Sequence, residues 1–289
     1  MLGRKYWISL SRSPSGCGFP VTKCHAPGGI MKIAVCVKQT PDSETRITLA
    51  GPAPELDQSG FTRVLNPYDA FAVEEAVKIK EAGGAEEVVV ITIGPETVKE
   101  TIKKDCLAVG CDKAIIITDP ALDGADDNAV ATVMAAALQK GSYDLILTGI
   151  KAIDDDSGQL GILLAEKLGL AHVSTITKLD LGEGNLTAER EIEGGKEIVQ
   201  AALPAVLTCQ KGLNEPRLPS LPNIMKAGMK PMETVTCADL GVEVPQNLVI
   251  IQQYVPPPAR GECKMIDADD PAAAAKELAR LLNEEAKVL

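Results

Sequence analysis

The chain has 289 residues, room for one large domain or one domain with an appendage. It is 45% hydrophobic and 24% charged, which is material for a packed core, and no run of about 20 apolar residues would insert it in a membrane. With 3% aromatic residues and a net charge of -11, base-stacking platforms and polyanionic partners are disfavoured, so no nucleic-acid partner is expected.

Residues 1–30 differ from the rest. Arg4, Lys5, Arg12 and Lys23 stand there with no acidic residue. The Arg/Ser bias fits a transit peptide, whereas a secretory signal lacks its apolar run. A third reading, which we adopt, makes Met31 the natural start, because Met-Lys-Ile-Ala-Val opens a strand without preamble. Residues 1–30 are then a leader or upstream sequence, outside the fold. The expected location is cytoplasmic, or the mitochondrial matrix if the leader is a transit peptide.

From Lys32 the grammar is regular. Lys32–Val37 is a continuous apolar run of the kind a central parallel strand shows. Residues 43–65 are polar with some alternation and predict an irregular excursion or small edge strands. Asn66-Pro67 then starts a helix, with Asn66 as cap and proline in the tolerated first turn. Its apolar stripe is Ala70, Val73, Ala76 and Val77; Glu74 and Lys78 form an exposed i,i+4 pair, and Gly83-Gly84 closes it. Strands follow at Val88–Ile93, Ala114–Thr118 and Leu145–Thr148. Helices lie between and after them: Val98 to Gly110, Asn128–Gln139 and Gly158–Leu168. Four apolar strands alternating with four helices predict an α/β fold, a doubly wound parallel sheet of the Rossmann-like, adenine-nucleotide-binding kind.

After Gly169 the pattern changes. Thr175–Leu181, Asn185–Ile192 and Glu197–Ala202 read as strands separated by glycine turns, an antiparallel meander extending the sheet. Ala205–Cys209 returns to the buried-strand pattern. Prolines then thicken (Pro216, Pro219, Pro222, Pro231, Pro245, Pro256–Pro258), which predicts an extended C-terminal arm. A final helix, Pro271–Leu289, carries Ala272, Leu278, Leu281 and Leu282 on one side. The expected organisation is residues 31–212 as a nucleotide-binding domain and 213–289 as a docking loop and partner-binding arm.

Little in the chain suggests bond-breaking chemistry. Eight cysteines form no CxxC pair and read as reduced core residues. Two histidines leave almost no material for a metal site or a catalytic triad. The informative stretch is Asp144–Leu168: strand, glycine turn, a loop with Asp154, Asp155 and Asp156, then a helix. Free amides at such a helix N-terminus bind phosphate without a basic side chain. In that reading Asp156 caps the helix, and Ser157, Gly158 and Gln159 present their amides. The three carboxylates must then turn outward or bond backbone amides. An ordinary acidic loop explains the local pattern equally well. Asn66–Asp69 and Lys38 could reach the same ligand; as local patterns they read more simply as a helix start and a solvated lysine.

These stretches together resemble the β-subunit family of electron transfer flavoproteins, from Met31 to about Gly241. The carrying motifs are NPYD with AVEEA (66–76), GIKAIDDDSGQ (149–159), EREIEGGKEI with LPAVLT (189–208) and LNEPRLPSLPNIMKA (213–227). The resemblance implies a subunit that pairs with an α subunit, shares its FAD and holds an AMP; in bifurcating members a second FAD takes the AMP position. It is then an electron carrier rather than an enzyme with its own substrate. By matching motif, the nucleotide would be lined by Cys36, by Asn66, Pro67, Tyr68 and Asp69, and by Ile93. The glycine loop would add Gly149, Ile150, Lys151, Ala152, Ile153, Asp154, Asp155, Asp156, Ser157, Gly158, Gln159 and Leu160. Leu218, Leu221, Pro222, Ile224 and Met225 would dock acyl-CoA or other flavin dehydrogenases, with a quinone reductase as acceptor. After the aspartates, Ser-Gly-Gln-Leu matches neither the usual Asn-Gln-Thr of the AMP type nor the bifurcating pattern; the docking segment favours AMP. A stand-alone adenine-nucleotide sensor is the reading from a different class, and it would stop before the meander and the arm.

Overall fold

The computed structural model describes residues 4–10, 31–50, 55–250, 263–267 and 269–288. Cys17, Cys24 and Pro256–Pro258 lie outside them. In chain order the strands are β1 (Arg4–Leu10), β2 (Met31–Val37), β3 (Gln39–Pro41), β4 (Leu49–Ala50), β5 (Glu55–Leu56), β6 (Arg63–Leu65), β7 (Ala85–Ile93), β8 (Lys113–Ile117), β9 (Leu145–Gly149), β10 (Ala171–Leu181), β11 (Asn185–Ile192), β12 (Gly195–Ala202), β13 (Ala205–Cys209) and β14 (Met232–Val235). The helices are α1 (Pro67–Glu81), α2 (Val98–Ile102) with a π-helical turn Lys103–Leu107, α3 (Asp127–Gly141), α4 (Leu160–Leu168), α5 (Leu221–Ala227), α6 (Cys237–Leu240) and α7 (Pro271–Glu284).

Ten strands form one sheet in the order β1-β12-β11-β10-β13-β9-β2-β7-β8-β14. From β13 through β9, β2 and β7 to β8 every pairing is parallel, while β10, β11 and β12 form the antiparallel meander. Along β2, Ile33, Val35 and Val37 pack with α1 and the α2 segment; Ala34 and Cys36 pack with α3 and α4. This two-sided burial is why these strands read as unbroken apolar runs. The expected α/β architecture is the observed one. The chain leaves β2 towards β7 and β8, then crosses back to place β9 on the other side of β2. Between β2 and β9 the direction of winding reverses, and ligands of open α/β sheets sit at such a point.

Several elements differ from expectation. The second helix is not one α-helix to Gly110: the Ala108 amide bonds Lys103 O at 3.0 Å across a widened turn. That turn brings Leu107 into the core with Ile102 and Cys106, from which a regular α-helical period would have turned it away. Glu74 is not exposed; it is buried at 4% and pairs with Arg217, while Lys78 lies 3.9 Å from Glu75. The proline-rich stretch holds α5, α6 and β14, and β14 pairs in parallel with β8 at the sheet edge. Residues 1–30 are expected outside the fold, whereas Arg4–Leu10 runs parallel to β12 as the opposite edge.

The chain divides into two compact units, Met1–Arg46 with Asp57–Gln252, and Ile47–Leu56 with Gln253–Leu289. The second contains the antiparallel pair β4–β5 and helix α7, which ends at Glu284 rather than Leu289. No residue of α7 is buried.

Shortened to begin at Met31, the chain is expected to remain soluble and melt cooperatively, because the named core residues run from Ile33 to Cys237. An insoluble product would show that β1 is needed to cover the edge of β12.

Candidate functional site

At the C-terminal ends of β2, β7 and β9 the first unit opens into a cleft of about 330 Å³. Its walls are the strand ends Cys36–Lys38, Ile93–Pro95 and Thr148–Ala152, the loop residues 122–125, and one side of α3 with Val130 and Met134. Asn66 and Asp69, from the start of α1, and the segment 157–160 complete it.

Asp69 holds the cleft together. It is buried at 5%; one oxygen accepts the Lys38 amide at 2.7 Å and the other the Gly149 amide at 3.0 Å. Burial pushes its carboxyl up to about 7, against the lowering effect of those two amides, Asn66 and Lys38. The approach leaves no room at Gly149: a Cβ there would lie 2.3 Å from Asp69 Oδ1 and 2.8 Å from the Tyr68 carbonyl carbon. Beside it, burial first and the Asp69 carboxylate second push the Cys36 thiol far above its ordinary range, so Cys36 is an inert wall.

The acidic loop is fastened rather than turned away. Lys38 Nζ bonds Asp154 at 2.8 Å and Asp155 at 2.7 Å, and Lys151 pairs with Asp156 at 2.6 Å. Burial works to lower the Lys38 pKa, but the two aspartates outweigh it and leave it raised. Asn66 spans the loop base, donating to Lys151 O at 2.8 Å and accepting from the Ile153 amide at 3.3 Å. Asp155 also accepts the Ser157 amide at 3.1 Å. Asp156 and Gly158 have φ of 58° and 62°, left-handed turns that carry the chain into α4.

Of the two expected caps, one holds in position and the other does not. Asp156 does not cap the last helix of the sheet, because α4 begins two residues later than expected and its N-cap is Gln159, without a side-chain bond. Asn66 is the N-cap of α1, as expected, but caps it through its carbonyl alone, because the loop has taken its side chain. Among the described residues, the amides of Gly158 and Gln159 have no protein acceptor, and the first amides of α4 have none within the helix.

Of the residues singled out by sequence, Cys36, Asn66, Asp69, Ile93, Gly149, Ile150, Lys151, Ala152, Asp155, Ser157, Gly158, Gln159 and Leu160 line the cleft. Pro67, Tyr68, Ile153, Asp154 and Asp156 do not; the last two spend their charge on Lys38 and Lys151. Sequence reasoning missed Leu122, Gly124, Ala125, Val130 and Met134. Their position after the third parallel strand was the available signal. Of the expected docking residues, Leu218, Leu221 and Met225 are 91%, 73% and 74% exposed, and Ile224 40%. Leu221 and Pro222 open α5, so that part is helical rather than extended.

Comparison with known proteins settles the family. The electron transfer flavoprotein domain matches residues 56–240. The chain is 38% identical over 263 residues to the electron transfer flavoprotein subunit beta of Bacillus subtilis, covering 90% of this chain and 100% of that protein. The corresponding subunits of Syntrophomonas wolfei and Homo sapiens are 36% and 35% identical, covering 89% and 87% of this chain and 98% and 99% of theirs. The chain belongs to the electron transfer flavoprotein β-subunit family. Among the described residues, no helix is long and apolar enough to cross a membrane.

Gly149→Ala is expected to cost about 1–3 kcal/mol of stability by overpacking against Asp69, read by denaturant titration. Asp69 binds its proton more tightly folded than unfolded, so its contribution to stability is lost as pH rises from about 4 to about 7. Comparing the wild-type and Asp69→Asn stability curves over that range should show the wild type losing on the order of 3–4 kcal/mol more; parallel curves would contradict the buried carboxyl's role.

Proposed function

We propose that this chain is the β subunit of a heterodimeric electron carrier, holding AMP in the switch-point cleft and sharing an FAD with an α subunit. The observation that carries the nucleotide reading is the pair of unpartnered amides at Gly158 and Gln159, set at a helix N-terminus inside a cleft at the C-terminal sheet edge. The residues fit a mononucleotide. The cleft volume is at the small end of the range of ~300–1,000 Å³ typical of ligand pockets, which favours AMP over a second, larger FAD. The phosphate would lie on the amides of residues 158–160, and Ile93, Val130 and Met134 offer an apolar wall to the base. FAD supplies one- and two-electron chemistry when bound. In this reading the part of the chain's own residues is to hold and orient the nucleotide.

In this reading residues 31–212 serve the nucleotide, and 213–289 serve partners. Acyl-CoA or other flavin dehydrogenases would dock on Leu218, Leu221, Pro222, Ile224 and Met225 and pass electrons onward to a quinone reductase. The compartment we assign is the cytoplasm, or the mitochondrial matrix should residues 1–30 act as a transit peptide.

Co-expression with an α subunit, denaturation and quantification of released nucleotide tests the cofactor reading: one FAD and one AMP per heterodimer are expected, whereas two FAD and no AMP would establish a bifurcating protein. Replacing Leu221 with Ala is expected to leave flavin content unchanged and raise the KM for a dehydrogenase partner roughly fivefold or more, as loss of a buried apolar anchor does. Unchanged transfer kinetics would remove the docking role.

A further inference from the structure

The exposed apolar segment of the first unit is fastened at both ends, to two different elements. On its N-terminal side Arg217 forks between two carboxylates of α1. Its Nε and Nη2 bond both oxygens of Glu74 at 2.9 to 3.1 Å, and Nη1 and Nη2 reach Glu81 at 2.7 and 2.9 Å. The Arg217 amide donates to Glu74 as well, at 3.2 Å. Three residues earlier, Asn214 Nδ2 donates to Glu75 at 2.9 Å and to Phe71 O at 3.0 Å. On the C-terminal side Lys230 Nζ donates to Leu107 O at 2.8 Å and Cys111 O at 2.6 Å, carbonyls at and just beyond the end of the π-helical turn.

Between these anchors only Ala227 is buried, while Leu218, Leu221, Met225 and Met229 are mostly in solvent. A seven-residue helix has too few hydrogen bonds to persist by itself. Nor does the segment bury enough apolar surface to hold its own shape. Ala227 ties its C-terminal part into the core, and the exposed remainder takes its conformation from the two polar anchors. The chemistry of those ends suits position rather than bulk stability. Apolar residues could fill the space of Glu74 and Arg217 without the cost of burying a carboxylate, but a bidentate fork admits one geometry. Lys230 caps carbonyls that would otherwise lack donors at a helix end.

We propose that Arg217 and Lys230 are positioning residues that hold segment 218–229 in its docking shape before a partner arrives. The inference rests on the docking role proposed above. A partner then binds a prebuilt apolar ridge and does not bear the cost of ordering it. Losing an anchor lowers the fraction of binding-competent molecules and weakens apparent affinity by the same factor.

The test uses the intact heterodimer as electron acceptor for an acyl-CoA dehydrogenase reduced by its substrate. Truncating Arg217 alone would strand the buried Glu74 charge, so the paired variant is Glu74→Gln with Arg217→Gln. Lys230→Met keeps the stem of Lys230 and removes its donors, and it carries the test if the paired variant fails to assemble. Each is expected to raise the KM for the heterodimer roughly tenfold with kcat unchanged, and to speed amide hydrogen exchange across 218–229. If KM and exchange stay at wild-type values while Leu221→Ala raises KM, the anchors do not position the segment and docking stands. If Leu221→Ala has no effect either, the docking reading fails and this inference with it.

Discussion

Parallel strands that meet at a winding reversal leave their last amides without ladder partners, because the two chains depart to opposite faces of the sheet. In this protein the amides of Lys38 after β2 and Gly149 at the end of β9 are in that position, and the buried carboxylate of Asp69 accepts both. The first turn of α1 delivers that carboxylate to the spot, with the helix N-terminal field in its favour. At this bond Gly149 approaches the Tyr68–Asp69 backbone so closely that a Cβ would not fit. The burial that makes the bond effective also makes the charge costly and pushes the carboxyl up to about 7.

A similar economy governs the acidic loop. Three aspartates beside the proposed phosphate site would repel the ligand if left free. Two lysines meet all three, and Asn66 ties the loop base to α1. The consequence is that Lys38, the basic side chain nearest the strand end, is already occupied. A bound phosphate would therefore depend on amides and on the α4 dipole rather than on a full positive charge. This suits the proposed nucleotide, held by geometry in a protein whose own net charge is negative.

The central sheet was legible because its inner parallel strands are buried on both faces and so read as short apolar runs between turn residues. The meander was legible from its glycine turns. What escaped was set by contacts distant in sequence. Glu74 looks like an exposed helix residue until Arg217, 143 residues away, covers it. Met232–Val235 is too short, and too close to Pro231, to be read as a strand, and only the free edge of β8 makes it one. Likewise Asp154 and Asp156 belonged to the right loop, but their lysine partners decide that they support the cleft without lining it. The loop 122–125 carries no motif at all; the topology alone places it at the cleft.

The most direct measurement is a crystal structure of the αβ heterodimer containing AMP. The proposed site predicts phosphate oxygens about 2.7–3.2 Å from the amides of Gly158 and Gln159, with the Asp69 bonds to Lys38 and Gly149 intact. A phosphate held instead by Lys38 released from Asp154 and Asp155, or a nucleotide bound outside the β2–β9 cleft, would contradict the account.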